Sequence, residues 1–157
     1  MNPLGASLFV VLLCAAAPDG GEQPARGAET VQAKIIPELG QRLEGMLAEQ
    51  IKVRDATVQL GKTIAANDGR SGRGEHQAGQ ILRDQQQEIC RSAKSAITLL
   101  ENERAVVAFV EVFQQVHNDM RAVEARLGKT DAGAATIDLQ NEIIGTLEEM
   151  IEALKPR

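Results

Sequence analysis

The chain has 157 residues, a net charge of −5 at pH 7, 43% hydrophobic residues and only 2% aromatic residues. Its length is typical of a single domain, and its hydrophobic fraction is sufficient for a core. An acidic chain with three phenylalanines and no Trp or Tyr lacks the basic surface and stacking side chains of nucleic-acid binders, so we expect no nucleic-acid partner.

The first element is an apolar segment at residues 4–17, with the sequence LGASLFVVLLCAAA. It is shorter than the ~20 residues that a membrane-spanning helix needs, and it ends in small residues, as secretory signal peptides do. We interpret residues 1–16 as a signal peptide and expect export to the periplasm or cell envelope. One alternative is a lipoprotein acylated at Cys14, which the bulky Leu13 before the cysteine disfavours. An uncleaved anchor or a misassigned start is another.

Residues 17–36 are predicted to form a flexible tether. The part from 18 to 29 reads PDGGEQPARGAE, and it combines proline, glycine and charge with almost nothing to bury. Such a composition is typical of segments that do not join a packed core. We therefore expect a single α-helical domain at residues 37–155.

The first helix is predicted at about residues 37–67. Pro37 either begins this helix at its first position or kinks a helix that started earlier. Apolar residues recur there in steps of three and four, the coiled-coil pattern of a left-handed helix pair. The seam residues of this helix are Leu39, Leu43, Met46, Val53, Leu60 and Ile64. Gln50 and Thr57 also occupy seam positions, and we interpret them as polar residues that set the register.

A glycine-rich break, NDGRSGRGE, follows at residues 67–75. Arg70 and Arg73 near exposed amides at a helix N-terminus could form an anion site. The glycine spacing matches no phosphate-binding loop, and no strand precedes it. We therefore prefer a solvated hairpin loop.

The second helix is predicted to run without interruption over residues 76–127. It contains no proline, and after Gly79 it has no glycine until Gly128, which supplies a stop. Its most apolar run, VVAFVEVF at residues 106–113, covers most of the helix circumference. We expect that run to be a junction contacted from two sides.

A last helix is predicted at residues 135–155, with its seam in steps of three and four from Ile137 to Leu154. The chain is therefore predicted to be all-α, an antiparallel three-helix arrangement built on one long central helix. Short loops place each shorter helix along one half of the long helix. The alternatives are a compact three-helix bundle with a kink near Asn102, and a homodimer.

The residues that could carry chemistry lack companions. Removal of Cys14 leaves Cys90 alone, so we expect no intramolecular disulfide and interpret Cys90 as a small apolar filler. His76 and His117 have no second ligand at metal-binding spacing, and no serine has a histidine nearby in the sequence. We expect no cofactor, no metal and no enzymatic activity.

Residues 139–151 read LQNEIIGTLEEMI, and they follow Asp-Met-Arg at 119–121. The intervening residues of the pattern are Leu127, Thr130, Gly133 and Thr136, and an earlier element is Leu-Ala-Glu-Gln at 47–50 with Arg54 and Thr57. The whole pattern resembles uncharacterised exported helical proteins of planctomycete-type bacteria. The resemblance implies export and a helical hairpin, and no catalytic role.

We therefore predict an exported, non-enzymatic helical-hairpin protein that acts through protein–protein contacts, with a protein partner or a second copy. Membrane contact is expected only through the signal segment or a lipid on Cys14. The alternative function is that of a periplasmic holdase-like chaperone with exposed apolar helix surface. Val107, Phe109 and Val112 are the candidate partner-binding residues, because they add apolar surface on further faces of the long helix.

Overall fold

The structure is a computed structural model that describes residues 25–101 and 107–155, with side chains from residue 35 in the first range and from 109 in the second. These residues form four α-helices and no strand: α1 (Ala25–Ala66), α2 (Arg73–Glu101), α3 (Val107–Leu127) and α4 (Ala134–Ala153). The all-α prediction is confirmed. The predicted signal peptide, with Cys14, lies outside the described residues.

The long helix predicted at residues 76–127 is two helices, so the described residues form four helices and not three. The two halves are antiparallel. This is shown by the hydrogen bond that Gln80, near the start of α2, donates to the carbonyl of Gly128, just after the end of α3, at 2.9 Å. Folding back lets the two apolar faces cover each other. That burial outweighs the few helical hydrogen bonds lost at the break, because tertiary packing supplies most of the stability of helices in proteins.

Each described helix packs against two of the other three helices and does not contact the third. Within the described ranges, α1 contacts α2 and α4, α3 contacts α2 and α4, and neither diagonal pair is in contact. Arg54 on α1 donates to Asn141 on α4 at 2.6 Å, which places the middle of α1 beside α4. The arrangement is an up-and-down bundle in which successive helices are antiparallel.

The core lies along the axis of the bundle and draws on every helix. The fully buried side chains of largest volume include Leu39, Leu43, Leu100, Phe113, Met120, Leu127, Ile143 and Leu147. The seam predicted for the first helix is confirmed at Leu39, Leu43, Met46, Val53 and Leu60, all of which are buried. Burial of each such side chain contributes about 1.5–3 kcal/mol, so the seam positions anchor α1.

Helix α1 begins at Ala25, before the predicted start at residue 37, and Pro37 lies inside it. The prediction treated residues 17–36 as a tether because residues 18–29 are rich in proline, glycine and charge. The stretch before Pro37 also contains Ala, Glu, Gln and Lys, which are strong helix formers. The helix propensity of these residues is consistent with a helix that begins before Pro37 and continues after it.

The turn between α3 and α4 fits closely against two glycines. A Cβ atom on Gly61 of α1 would lie 2.5 Å from the carbonyl oxygen of Ala132. A Cβ atom on Gly79 of α2 would lie 3.0 Å from the carbonyl oxygen of Leu127 and 3.1 Å from Thr130 Oγ1. Glycine at both positions therefore lets the backbone of the turn touch α1 and α2.

Gly61→Ala is expected to lower the free energy of unfolding by about 1–3 kcal/mol, because the new methyl group overlaps backbone that must move. Gly45→Ala is the matched control on the same helix, since no atom lies within 4 Å of its Cβ position. That control is expected to gain about 0.5–1 kcal/mol from helix propensity. Urea unfolding of both variants measures the two effects, and a shift in the same direction for both contradicts the close fit.

Candidate functional site

The predicted partner-binding residues lie at the start of α3. Phe109 and Val112 are partly buried and pack against the core. The side chain of Val107 lies outside the described part of the chain. Because α3 folds back along α2, three described side chains of the apolar run, Phe109, Val110 and Val112, pack against the bundle core. Phe113, at its end, is fully buried.

Among the described side chains, the large apolar groups that remain exposed are Ile36 and Ile81, at 44% and 51%. Ile81 lies on α2 next to Leu82, which is 5% exposed. Neighbouring residues on a helix point in directions about 100° apart, and here Leu82 faces the core while Ile81 does not. The sequence shows this pair of apolar residues, but it does not show which one the bundle covers.

Ile81 borders a groove on the outer side of α1 and α2. One part of the groove is a cavity of about 560 Å³ lined mainly by small or apolar side chains. They include Ala56, Leu60, Thr63, Ala78, Ile81 and Leu82. We call this part the apolar groove. Its volume is in the range of sites that accept a ligand or a few side chains of a partner.

The groove continues toward the other end of the bundle as a cavity of about 720 Å³, and Gln85 lines both parts. This part is bordered by charged residues that already have partners. Arg42 pairs with Glu38 at 2.8 Å and donates to Ser95 at 3.0 Å, and Arg91 pairs with Glu88. Exposed pairs of this kind contribute little stability, but they leave the rim close to neutral.

A polar layer crosses the core beneath the groove. Gln50 and Gln86 are fully buried, and each amide donates to the other, at 3.0 Å and 2.9 Å. This pair joins α1 to α2. The prediction placed Gln50 in the seam as a register residue. It did not identify Gln86, because single polar residues in a Gln-rich stretch give no sign of which one turns inward.

A second polar contact joins α1 to α4. Gln140 donates through Nε2 to Thr57 Oγ1 at 3.1 Å, and the Thr57 hydroxyl donates to the Val53 carbonyl at 2.8 Å. Thr57, Gln140 and the neighbouring Thr136 are fully buried. Within the described residues, Gln140 Oε1 and Thr136 Oγ1 have no hydrogen-bond partner. These contacts hold a fixed register, and they present no reactive group.

Cys90 lies one turn after Gln86 and is buried. Burial, together with the nearby Glu124 carboxylate, raises the pKa of the Cys90 thiol to about 12. The thiolate is the reactive form of cysteine, so this environment holds Cys90 in its unreactive form. The position agrees with the interpretation of Cys90 as a small core residue.

His117 lies at the edge of the α2–α3 seam and is partly buried. Burial lowers the pKa of the His117 imidazole, and the charges of Arg121 and Lys94 lower it further. His76 lies near the start of α2, where its Nδ1 is 2.9 Å from Thr130 Oγ1. In the described ranges, no group of three or more His, Cys, Asp or Glu side chains is placed to hold a metal ion.

The start of α2 is capped by its own glutamate. Glu75 accepts a hydrogen bond from the Gly72 amide at 2.8 Å, as the third residue of a capping box does. A carboxylate therefore occupies the position that an anion would take at this helix N-terminus. This geometry favours the solvated loop over the anion site.

None of the described helices is both long enough and apolar enough to cross a membrane. Comparison of the chain with protein-family models, with curated proteins and with solved structures finds no match. The resemblance to exported helical proteins therefore stays a prediction, and the proposal below is based on the residues of this chain.

Gln50→Leu is expected to lower the free energy of unfolding by about 1–3 kcal/mol, because the buried Gln86 amide loses both of its hydrogen bonds. The double variant Q50L/Q86L is expected to recover much of that loss, since it leaves no unpaired amide. Urea unfolding of the single and double variants gives the coupling energy. Gln77→Leu, an exposed change on α2, is the control, and additive losses in the double variant contradict the pairing.

Stability is expected to fall as the pH drops below the ordinary histidine pKa of about 6.5. The folded state lowers the pKa of His117, so the unfolded chain takes up the proton more readily, and acid favours unfolding. His117→Gln is expected to reduce the loss of unfolding free energy between about pH 7.5 and about pH 5.5, within the range where histidine titrates. Asn118→Gln, beside it on α3, is the control. An unchanged pH dependence in H117Q contradicts the assignment.

Proposed function

We propose that this protein is an exported, non-enzymatic helical-bundle protein that works by binding another protein through the apolar groove. The observation that carries the proposal is the exposure of Ile81, at 51%, beside a cavity of about 560 Å³. An exposed large apolar side chain next to a concave apolar surface is typical of interaction sites. The apolar segment at residues 4–17 supports export.

The surroundings of Ile81 fit the anatomy of a protein interface. Its floor is apolar, with Leu60 and Leu82 almost completely buried. Farther along α1 and α2, the rim carries charged groups such as Arg42 and Glu88, each already paired within the chain. Protein interfaces commonly have such an apolar centre and a polar rim. Glu75, which lines the groove near Ile81, has no ion pair within the described residues but accepts a hydrogen bond from the Gly72 amide. A partner that buries Ile81 therefore meets charged groups that already have a polar contact within the chain.

The non-enzymatic part of the proposal is based on the state of the reactive groups. The Cys90 thiol is buried and its pKa is raised to about 12. His117 has a lowered pKa, and its charged neighbours include Arg121 and Lys94. Neither group opens onto the apolar groove, whose lining comes from α1 and α2 positions away from both. A partner in the groove therefore meets neither the Cys90 thiol nor the His117 imidazole, and the Glu75 carboxylate in the lining accepts a hydrogen bond from the Gly72 amide.

The holdase-like alternative depends on an open apolar surface at Val107, Phe109 and Val112. Phe109 and Val112 pack against the core and are partly buried. No observation on these residues favours client binding over packing. We therefore base the proposal on the apolar groove and not on that surface.

A photo-crosslinking amino acid at Gln59, an exposed residue that lines the apolar groove, is expected to capture a protein in the producing cell. The captured species is a distinct protein, or a second copy that gives a product of twice the mass of the single chain in the same fraction. The measurement is mass spectrometry of the product after cell fractionation, which also tests export. The same probe at Ala122, exposed on α3, is the positional control.

Ile81→Glu in the chain that carries the Gln59 probe is expected to abolish the product. Because Ile81 is half exposed, this change is expected to alter the free energy of unfolding by no more than about 0.5 kcal/mol, which urea unfolding checks. Equal capture at Gln59 and Ala122, or capture that persists in I81E, contradicts the proposal.

A further inference from the structure

The interface between α1 and α4 contains two polar atoms that its own side chains leave unsatisfied. Gln140 Oε1 and Thr136 Oγ1 are buried without a hydrogen-bond partner in the described part of the chain. Both residues are 0% exposed. Polar atoms in such positions are almost always paired in folded proteins, with protein groups or with ordered water.

The two atoms face the same part of the interface. Thr136 and Gln140 are four residues apart on α4, so they lie one turn apart on one face. Gln140 contacts Thr57 on the antiparallel helix α1, and one turn farther along α1 is Gly61. Gly61 has no side chain, so it offers no side-chain hydrogen-bond partner to the Thr136 hydroxyl.

Rearrangement of the side chains does not satisfy both atoms. Exchanging the oxygen and nitrogen of the Gln140 amide places Oε1 beside Thr57, whose single hydroxyl hydrogen already goes to the Val53 carbonyl. The exchange also leaves the amide nitrogen unpaired in the position that Oε1 held. A direct bond from the Thr136 hydroxyl to Gln140 is not formed.

We propose that one water molecule is bound between Gln140 Oε1 and Thr136 Oγ1 as a constituent of the α1–α4 interface. The water donates one hydrogen to Gln140 Oε1 and accepts the hydroxyl hydrogen of Thr136. Its chemistry fits, because the two atoms require one donor and one acceptor within a small space. An apolar molecule satisfies neither atom. An ion lacks a counter-charge there, since Arg54 pairs with Asp55 and Asn141 at the surface.

The test counts long-lived internal water molecules by oxygen-17 relaxation dispersion on the full chain. The double variant Thr136→Val/Gln140→Leu, which removes both polar atoms, is expected to contain one long-lived water fewer than the wild type. Thr136→Ser, which keeps the hydroxyl, is expected to retain the wild-type count. An equal count in the wild type and the folded double variant overturns the proposal.

A crystal structure of the wild-type protein provides a measurement that does not depend on variants. We expect an ordered water within hydrogen-bond distance of both Gln140 Oε1 and Thr136 Oγ1. A direct hydrogen bond between the two side chains, with no water between them, overturns the proposal even if the double variant does not fold.

Discussion

The close fit of the α3–α4 turn against Gly61 and Gly79 is the constraint on which the rest of the bundle depends. It joins the end of α3 to the start of α2 and the start of α4 to the end of α1, so it determines which helices are neighbours. Thr130 adopts φ 62° in this turn, a left-handed conformation that costs a β-branched residue about 1–3 kcal/mol. Its contact with His76 and its burial, at 6% exposed, hold it there.

The position of the polar layer depends on the α3–α4 turn, which fixes one end of the bundle. Once the turn is in place, antiparallel helices bring Gln50 level with Gln86 and Thr57 level with Gln140. Both contacts belong to α1, whereas the buried residues at the centre of α3 are apolar, with Phe113, Val116, Met120 and Val123. A buried amide pair adds little net stability over an apolar pair. If the register of α1 shifts, however, each buried amide loses its hydrogen-bond partner, at a cost of about 1–3 kcal/mol. The layer therefore selects one register for α1 and penalises the others.

The parts of the fold that could be predicted from sequence are those where local signals agree with packing. The α1 seam from Leu39 to Leu60 and the last helix follow from apolar spacing, and Gly128 follows the end of α3 as expected. The left-handed residue of that turn is Thr130 and not Gly128. Glycine marks a break in the chain, but the packing of the turn decides which residue adopts the unusual conformation.

A single long helix was the preferred prediction, because residues 80–127 contain neither glycine nor proline. The alternative placed a kink near Asn102, between the end of α2 at Glu101 and the start of α3 at Val107. The reversal of direction between the two helices was not predicted. It results from the gain of covering one apolar face with another, which is a property of the whole bundle and not of any local segment. The folding back of α3 along α2 also changes the candidate site. It leaves Phe109 and Val112 partly buried against the core. The packing of α1 and α2 decides that Leu82, and not Ile81, is buried.

The position of the apolar groove is a consequence of this architecture. Helix α2 carries apolar residues on more than one face, and the fold uses one face for α3 and the core. Ile81 then projects beside Ala56 and Ala78, which are too small to cover it from α1 or α2. The groups capable of reaction, Cys90 and His117, lie toward α3 instead, where burial raises one pKa and lowers the other. The bundle thus separates the Cys90 thiol and the His117 imidazole from the apolar groove.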